Sequence, residues 1–183
     1  MHAFKELLKA LELLNTKLVS NGTTADLTIV GSMSIYLNNF KIERFTQDID
    51  YINYQPDDDF NSFVAEVAEE LNLKDNWINS RAATLKPLPI DLKSKSKIDN
   101  RFSNIILRVI NREVLIQFKI YAAYMRGPKD LEDLSLLKPN NLEIAQGIEY
   151  IKYVILENHG QEQLDKETKD INKFERFLNE QFK

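Results

Sequence analysis

The most informative part of this chain is the stretch Thr46-Gln47-Asp48-Ile49-Asp50, together with Val30-Gly31-Ser32 upstream of it. Alternate residues of a β-strand point to the same face, so Asp48 and Asp50 are expected to project together while Ile49 points into the core. Two carboxylates that face the same way repel each other unless a cation lies between them, and ligand sets made only of oxygen favour Mg²⁺ or Mn²⁺. The pattern therefore predicts a divalent-cation site on a strand.

The upstream stretch has the pattern of a turn between a strand and a helix. Residues 27–30 form a short apolar run that stops at Gly31, and residues 32–40 carry apolar side chains at helical spacing, with Ser32 as the predicted N-cap. Such a turn offers backbone N–H groups and a hydroxyl to a phosphate. A phosphate-binding turn next to paired carboxylates indicates metal-assisted chemistry on a nucleotide.

Composition excludes several other chemistries. The chain has 183 residues and no cysteine, so disulfides, zinc–thiolate sites and thiol nucleophiles are absent. Its two histidines, His2 at the terminus and His159 near a helix end, do not suggest a catalytic triad. No apolar run approaches the length of about 20 residues that spans a bilayer, and the N-terminal leucines are interrupted by charges. We expect a cytoplasmic protein without membrane contact.

Charge is distributed unevenly although the formal net charge is only −4. Acidic residues dominate positions 43–75, whereas basic residues dominate positions 81–108 and include Lys93, Lys95 and Lys97. One region suits a metal ion and the other a phosphate or an RNA backbone. The alternative is a pair of solvated surfaces of opposite sign.

Hydrophobic periodicity predicts an α+β fold, in which a small mixed β-sheet packs on helices and a helical C-terminal part follows. We expect an α/β core over residues 1–112 and a helical region over 113–183. The second predicted strand runs from Thr46 to Tyr54, and residues 74–103 give no clear pattern. In that segment Trp77 and Ile78 are expected in the core, and the lysine-rich run is expected to be a loop or an edge strand.

The Gly-Ser turn, the helix after it and the run Arg44-Phe45-Thr46-Gln47-Asp48-Ile49-Asp50 resemble the nucleotidyltransferase superfamily with the DNA polymerase β-like palm. The chain is most similar to the AbiEii-type branch, which includes toxins of toxin–antitoxin and phage-defence pairs. The resemblance implies that Gly31 and Ser32 contact a triphosphate and that Asp48 and Asp50 bind Mg²⁺ or Mn²⁺. Arg44 and Thr46 join the nucleotide-binding set, with Arg44 expected to orient the aspartate strand.

A second match lies downstream, where Lys119 precedes small residues and Arg126 leads into Lys129-Asp130-Leu131-Glu132-Asp133. The resemblance implies a helix pair in which Lys119 adds positive charge to the phosphates. Asp130 is expected to hold Lys119 or Arg126, or to face the catalytic site directly. The alternative is a structural ion pair between Lys119 and Asp130.

The resemblance also implies a third carboxylate on a later strand, acting as a base or as a metal ligand. Asp91, flanked by apolar residues, is the leading candidate, and Asp99 is a weaker one. If neither reaches the metal, solvent takes the proton of the acceptor hydroxyl, or the protein binds nucleotide without turnover.

These observations predict a Mg²⁺-dependent nucleotidyltransferase that moves a nucleotidyl group from a nucleoside triphosphate to a hydroxyl on RNA, including tRNA, or on protein. The first alternative is a nucleotide-binding module with an incomplete acid site, acting as a partner in a toxin–antitoxin or regulatory complex. In that case the C-terminal helix, with Phe174, Phe177 and Phe182, would bind the other protein. The second alternative is a purely structural protein in which the two aspartates point apart.

Overall fold

A computed structural model describes residues 4–40, 46, 48–84, 87–89 and 92–183. It confirms the predicted α+β class. The elements, in chain order, are α1 Phe4–Ser20, β1 Ala25–Ile29, α2 Gly31–Leu37, β2 Ile49–Ile52, α3 Asp58–Glu70, β3 Ile78–Asn79, a short 3-10 helix Arg81–Thr84, β4 Ser96–Asp99, β5 Ile105–Ile110, α4 Arg112–Arg126, α5 Pro128–Leu137, α6 Asn141–His159 and α7 Gln161–Gln181.

Contacts divide the chain into two compact units, Met1–Thr84 with Ser96–Ile110, and Leu85–Lys95 with Asn111–Lys183. The predicted boundary at residue 112 stays a prediction. The first unit carries a five-stranded sheet of order β3-β2-β1-β5-β4. β1 is antiparallel to β2 and parallel to β5, and β3 is parallel to β2. β4 is an antiparallel edge strand of this sheet. The lysine-rich segment was predicted to be a loop or an edge strand, and it includes this edge strand.

The core of the first unit lies between the sheet and helices α1 and α3. α1 places leucines at helical spacing, and Leu7, Leu11 and Leu14 are fully buried. They share one cluster with the inward side chains of β1 and β5, among them Leu27 and Leu107. This burial fixes the strand register, because a slip of one residue would turn every inward side chain outward.

Trp77 links α3 to the strand that carries the acid pair. Its indole is fully buried and donates a hydrogen bond from Nε1 to the Val64 carbonyl at 3.0 Å. Its own carbonyl accepts from the Ile49 N–H at 2.8 Å. The predicted burial of Trp77 and Ile78 is confirmed, and β3 lies beside β2 as a consequence.

The predicted bounds of α2 and of β2 are wrong. Ser32 is not the N-cap of α2, because the helix begins at Gly31 and Val30 occupies the cap position without a side-chain hydrogen bond. α2 ends at Leu37 and not at residue 40. The following residue, Asn38, is its C-cap and donates from Nδ2 to the Ser34 carbonyl at 2.9 Å. β2 spans Ile49–Ile52, which is shorter than the strand predicted over 46–54.

The second unit contains helices α4 to α7. α6 begins with a capping box, in which Asn140 and Glu143 exchange side-chain and backbone hydrogen bonds. α4 and α6 approach closely at Gly147, where an added Cβ would lie 2.5 Å from Ile120 Cδ1 and 3.0 Å from Ile120 Cβ. No helix among the described residues is long and apolar enough to cross a membrane.

Gly147→Ala is expected to destabilise the protein by about 1–3 kcal/mol, because the new methyl group overlaps Ile120. On an exposed helix the same change would stabilise by about 1 kcal/mol, so the sign of the effect reports the packing. Urea unfolding measures the free energy of unfolding. In Gly147→Ala/Ile120→Ala the contacts with the outer atoms of Ile120 are gone and only the 3.0 Å approach to its Cβ remains, so the double variant should be more stable than the sum of the two single effects predicts. Strict additivity would contradict the close approach.

Candidate functional site

The Gly31 turn and the Asp50 carboxylate are in direct contact. Gly31 has φ +66°, a backbone conformation that favours glycine. A Cβ added to Gly31 would lie 2.9 Å from Asp50 Oδ2. The adjacent Val30 N–H also donates to the Asp50 carbonyl at 3.0 Å. Two reasons therefore favour glycine at this position. Its backbone conformation is strained for other residues, and the Asp50 carboxylate occupies the space that a side chain would need.

The acid pair flanks a fully buried residue. Ile49 lies in the core, whereas Asp48 and Asp50 on either side of it are half-buried. This burial pattern is the one that strand alternation produces when both aspartates project from the same face. Asp48 directly precedes β2, and the hydroxyl of Thr46 donates to its backbone carbonyl at 3.3 Å. Thr46 therefore contacts the backbone of the acid pair.

β3 places an amide beside the acid pair. Asn79 is the register partner of Asp50 in the parallel β2–β3 pairing, and its Nδ2 donates to Asp48 Oδ2 at 3.2 Å. Sequence reasoning missed Asn79, because a strand of two residues has no periodicity to detect. The available signal was the buried pair Trp77 and Ile78, because the residue that follows a buried pair is expected to leave the core.

Tyr51 follows Asp50 on β2 and is buried in the core, where its ring contacts Phe60 of α3. Burial raises the pKa of its phenol above the ordinary value, and a hydrogen bond with Ser80 partly opposes that rise. The phenol is therefore neutral at physiological pH, so it contributes packing and a hydrogen bond to the strand pair and no charge.

The structure describes Ser32 and Asp99 among the other predicted site residues. Arg44 and Asp91 lie outside the described residues, so their predicted roles stay predictions. Ser32 is half-buried in the first turn of α2, one residue after Gly31. Asp99, the weaker third-carboxylate candidate, pairs with Arg101 on the edge strand and its turn, and that hydrogen bond lowers the pKa of Asp99.

Lys119 belongs to a buried ion cluster in the second unit. Its Nζ lies 2.5 Å from Asp133 Oδ2 and 3.6 Å from Asp130 Oδ1, and all three side chains are at least nine-tenths buried. Arg126 reaches Asp130 Oδ1 at 3.0 Å. The shorter ion pair is thus with Asp133, which sequence reasoning did not select although it lies one helical turn after Asp130. The roles of Lys119 and Asp130 at a nucleotide stay predictions.

The donor set of the first unit suits a cation that is held only partly by protein. Among the described residues, no group of three or more Asp, Glu, His or Cys side chains could hold a metal ion. Mg²⁺ in nucleotide enzymes is typically bound by one or two carboxylates and completed by substrate phosphates and water. Asp48 and Asp50, next to the backbone turn at Gly31, fit that arrangement.

The α+β fold thus carries a mixed sheet and a glycine turn that lies against Asp50, the second aspartate of the acid pair. The chain belongs to the family described as nucleotidyltransferase of unknown function (DUF6036), whose model matches residues 5–180. No curated protein and no solved structure gives a significant match. Membership supports the nucleotidyltransferase superfamily that the motifs indicated.

Gly31→Ala is expected to cost about 2–3 kcal/mol of stability, because the alanine is strained at positive φ and meets Asp50 Oδ2. Gly22→Ala is the matched control, since Gly22 also has φ +66° but nothing lies within 4 Å of its added Cβ. It should lose about 1 kcal/mol. Urea unfolding of both variants, and of both in an Asp50→Ala background, separates strain from contact. Equal losses in the two glycine variants would contradict the contact with Asp50.

Lys119→Met is expected to destabilise by about 3–5 kcal/mol, because it removes the cation that pairs with buried Asp133 and leaves Asp130 with Arg126 as its cation. Lys166→Met removes an exposed pair with Glu162 and should change stability by less than about 0.5 kcal/mol. Thermal and urea unfolding measure both. If the two lysine variants behave alike, the buried cluster does not stabilise the second unit.

Proposed function

We propose that this protein is a metal-dependent nucleotidyltransferase that uses a nucleoside triphosphate with Mg²⁺ or Mn²⁺. The observation that supports the proposal best is the contact between the Gly31 turn and the Asp50 carboxylate, with Asp48 on the same strand segment. Backbone N–H groups of such a turn can bind phosphate oxygens, and the adjacent acids supply oxygen ligands. Family membership independently supports nucleotide chemistry.

The proposed reaction is attack of an acceptor hydroxyl on the α-phosphorus of the triphosphate. The bond between the α-phosphorus and the bridging oxygen to the β-phosphate breaks, and pyrophosphate leaves. Solvent takes the proton of the hydroxyl. Asp48 and Asp50 would hold a divalent ion, which when bound neutralises phosphate charge and helps align the acceptor. The Gly31 backbone and the Ser32 hydroxyl would bind the β- and γ-phosphates, and Thr46 would support the acid segment.

The acceptor is proposed to be a hydroxyl on RNA, tRNA included, or on protein. Three cations of the basic segment already have partners within their own units: Lys95 pairs with Glu113, Lys97 donates to the Leu37 carbonyl, and Arg101 pairs with Asp99. Binding an RNA backbone there would compete with these contacts. Both acceptor classes therefore enter the experiment, and RNA transfer should weaken steeply with salt.

The proposal extends to the AbiEii-type branch, with this chain as the toxin of a pair and an antitoxin-type protein as its partner. The order of the motifs in the sequence supports this assignment. In that setting the resemblance implies that Lys119 contacts the phosphates and that Asp130 holds Lys119 or Arg126 or faces the site, whereas the buried pairing of Lys119 supports the structural alternative.

A second candidate function is nucleotide binding without turnover, as one half of a regulatory complex. It is favoured by Asn79, because the neighbouring strand offers the acid pair an amide and not a third carboxylate. The predicted docking face on α7 is only partly available, since Phe174 packs 5.5 Å from the Tyr124 ring and Phe177 is the exposed aromatic residue.

Wild-type protein, incubated with each α-labelled nucleoside triphosphate, Mn²⁺ or Mg²⁺ and either total RNA or total protein, should transfer label to one acceptor class. Asp48→Asn and Asp50→Asn should lower the transfer rate at least about a hundredfold, because the charge of a metal ligand is lost. Asp75→Asn, at an exposed position of the same unit, is the matched control and should retain wild-type transfer.

Thermal shift separates the two candidate functions. A triphosphate should raise the melting temperature only when the divalent ion is present, by the linkage between binding and stability. A shift without label transfer supports the binding module. If neither a shift nor transfer occurs with any nucleotide, the nucleotide proposal fails in both forms.

A further inference from the structure

We propose that Asn79 is the positioning residue of Asp48, and that its amide leaves the cation site dependent on the phosphates of the nucleotide; this inference rests on the proposed function. Asn79 contacts the acid pair through a hydrogen bond and not through charge. The site would thus consist of two carboxylates and a neutral organiser.

The hydrogen bonds of Asn79 fix which way its amide points. Oδ1 accepts from the backbone N–H of Arg81 at 3.0 Å, whereas Nδ2 donates to Asp48 Oδ2 at 3.2 Å and faces the Asn76 carbonyl at 3.5 Å. With the amide reversed, its oxygen would face a carboxylate and a carbonyl, and its NH₂ group would face another N–H donor. Only one orientation satisfies the donors and acceptors. Asn79 therefore presents a donor to Asp48.

A rigid element carries this donor. Asn79 ends β3, which pairs with β2 in a register that sets it opposite Asp50. A backbone hydrogen bond also joins the two strands just before this position: the Ile49 N–H donates to the carbonyl of buried Trp77 at 2.8 Å. A side chain on a strand anchored in the core holds its partner more tightly than one on a loop. Asp48, which precedes β2, gains its side-chain orientation from that neighbour.

The neutral charge of Asn79 determines how the site would bind a cation. A carboxylate at this position would add a third negative charge beside Asp48. The protein alone would then supply nearly enough ligands to bind the cation without a nucleotide. An amide orients Asp48 through one oxygen and adds no charge. Two carboxylates bind Mg²⁺ weakly by themselves, and the phosphates of a nucleotide complete the ligand set. We therefore expect metal and nucleotide to bind together and the metal alone to bind weakly.

Isothermal titration calorimetry and thermal shift test this inference with MnCl₂ alone, and with MnCl₂ plus each common nucleoside triphosphate. Wild-type protein should respond to the mixture and only weakly to MnCl₂ alone. Asn79→Asp should bind MnCl₂ alone about tenfold more tightly than the wild type. Asn79→Ala should bind the mixture about tenfold more weakly, as is typical when a residue that orients a metal ligand is lost. All shifts are measured from each variant's own melting temperature.

Two controls make the result specific. Asn76→Ala removes a neighbouring amide side chain whose residue meets Asn79 only through its backbone carbonyl, and it should behave as wild type. In an Asp48→Asn background, Asn79→Ala should have no further effect on binding of the mixture, because there is no carboxylate left to orient. If Asn79→Ala does not fold, the gain of MnCl₂ binding by Asn79→Asp decides.

The outcomes separate this inference from the proposed function. If the wild type binds the mixture but Asn79→Ala and Asn79→Asp both match it, Asn79 does not position Asp48 and the inference is overturned. If the wild type binds MnCl₂ alone as tightly as the mixture, the dependence on phosphate is wrong. If the wild type binds no nucleotide while Asn79→Asp gains MnCl₂ binding, the proposed function fails and the placement of Asn79 beside Asp48 stands.

Discussion

The contact between the Asp50 carboxylate and the Gly31 turn is the constraint on which the candidate site depends. It joins two strands that the chain separates by a helix and a long connection, and it leaves no room for a side chain at Gly31. The backbone hydrogen bond from Val30 to the same aspartate makes this a double attachment. Under the proposed function, this geometry would bring the carboxylates that hold the metal ion and the backbone N–H groups that bind phosphate into one small region.

Much of this arrangement follows from local sequence. Strand alternation around buried Ile49 was enough to predict that Asp48 and Asp50 share a face, and the observed burial agrees with that alternation. Long helices such as α1 and α7 are evident from their periodic apolar residues. These features need only 2.0- and 3.6-residue periods, which a single sequence displays.

What local sequence could not supply depends on pairing between distant segments. β3 has two residues, so nothing in its own pattern indicated that Asn79 would reach Asp48. In the second unit, both Asp130 and Asp133 lie one turn apart on α5, and only the packing of α4 selects Asp133 as the nearer partner of Lys119. The N-cap of α2 was predicted wrongly for a different reason. Serine favours the N-cap position, but the helix already begins at the glycine before it.

Trp77 gives the first unit a property that extends beyond its core. Its indole is bound to α3 through the Val64 carbonyl, and its own carbonyl is bound to the strand of the acid pair through Ile49. A shift of α3 would therefore act on the strand of the acid pair through Trp77. In a genetic screen, inactive alleles that still accumulate as folded protein should therefore map to the inner face of α3 as well as to the acid pair itself.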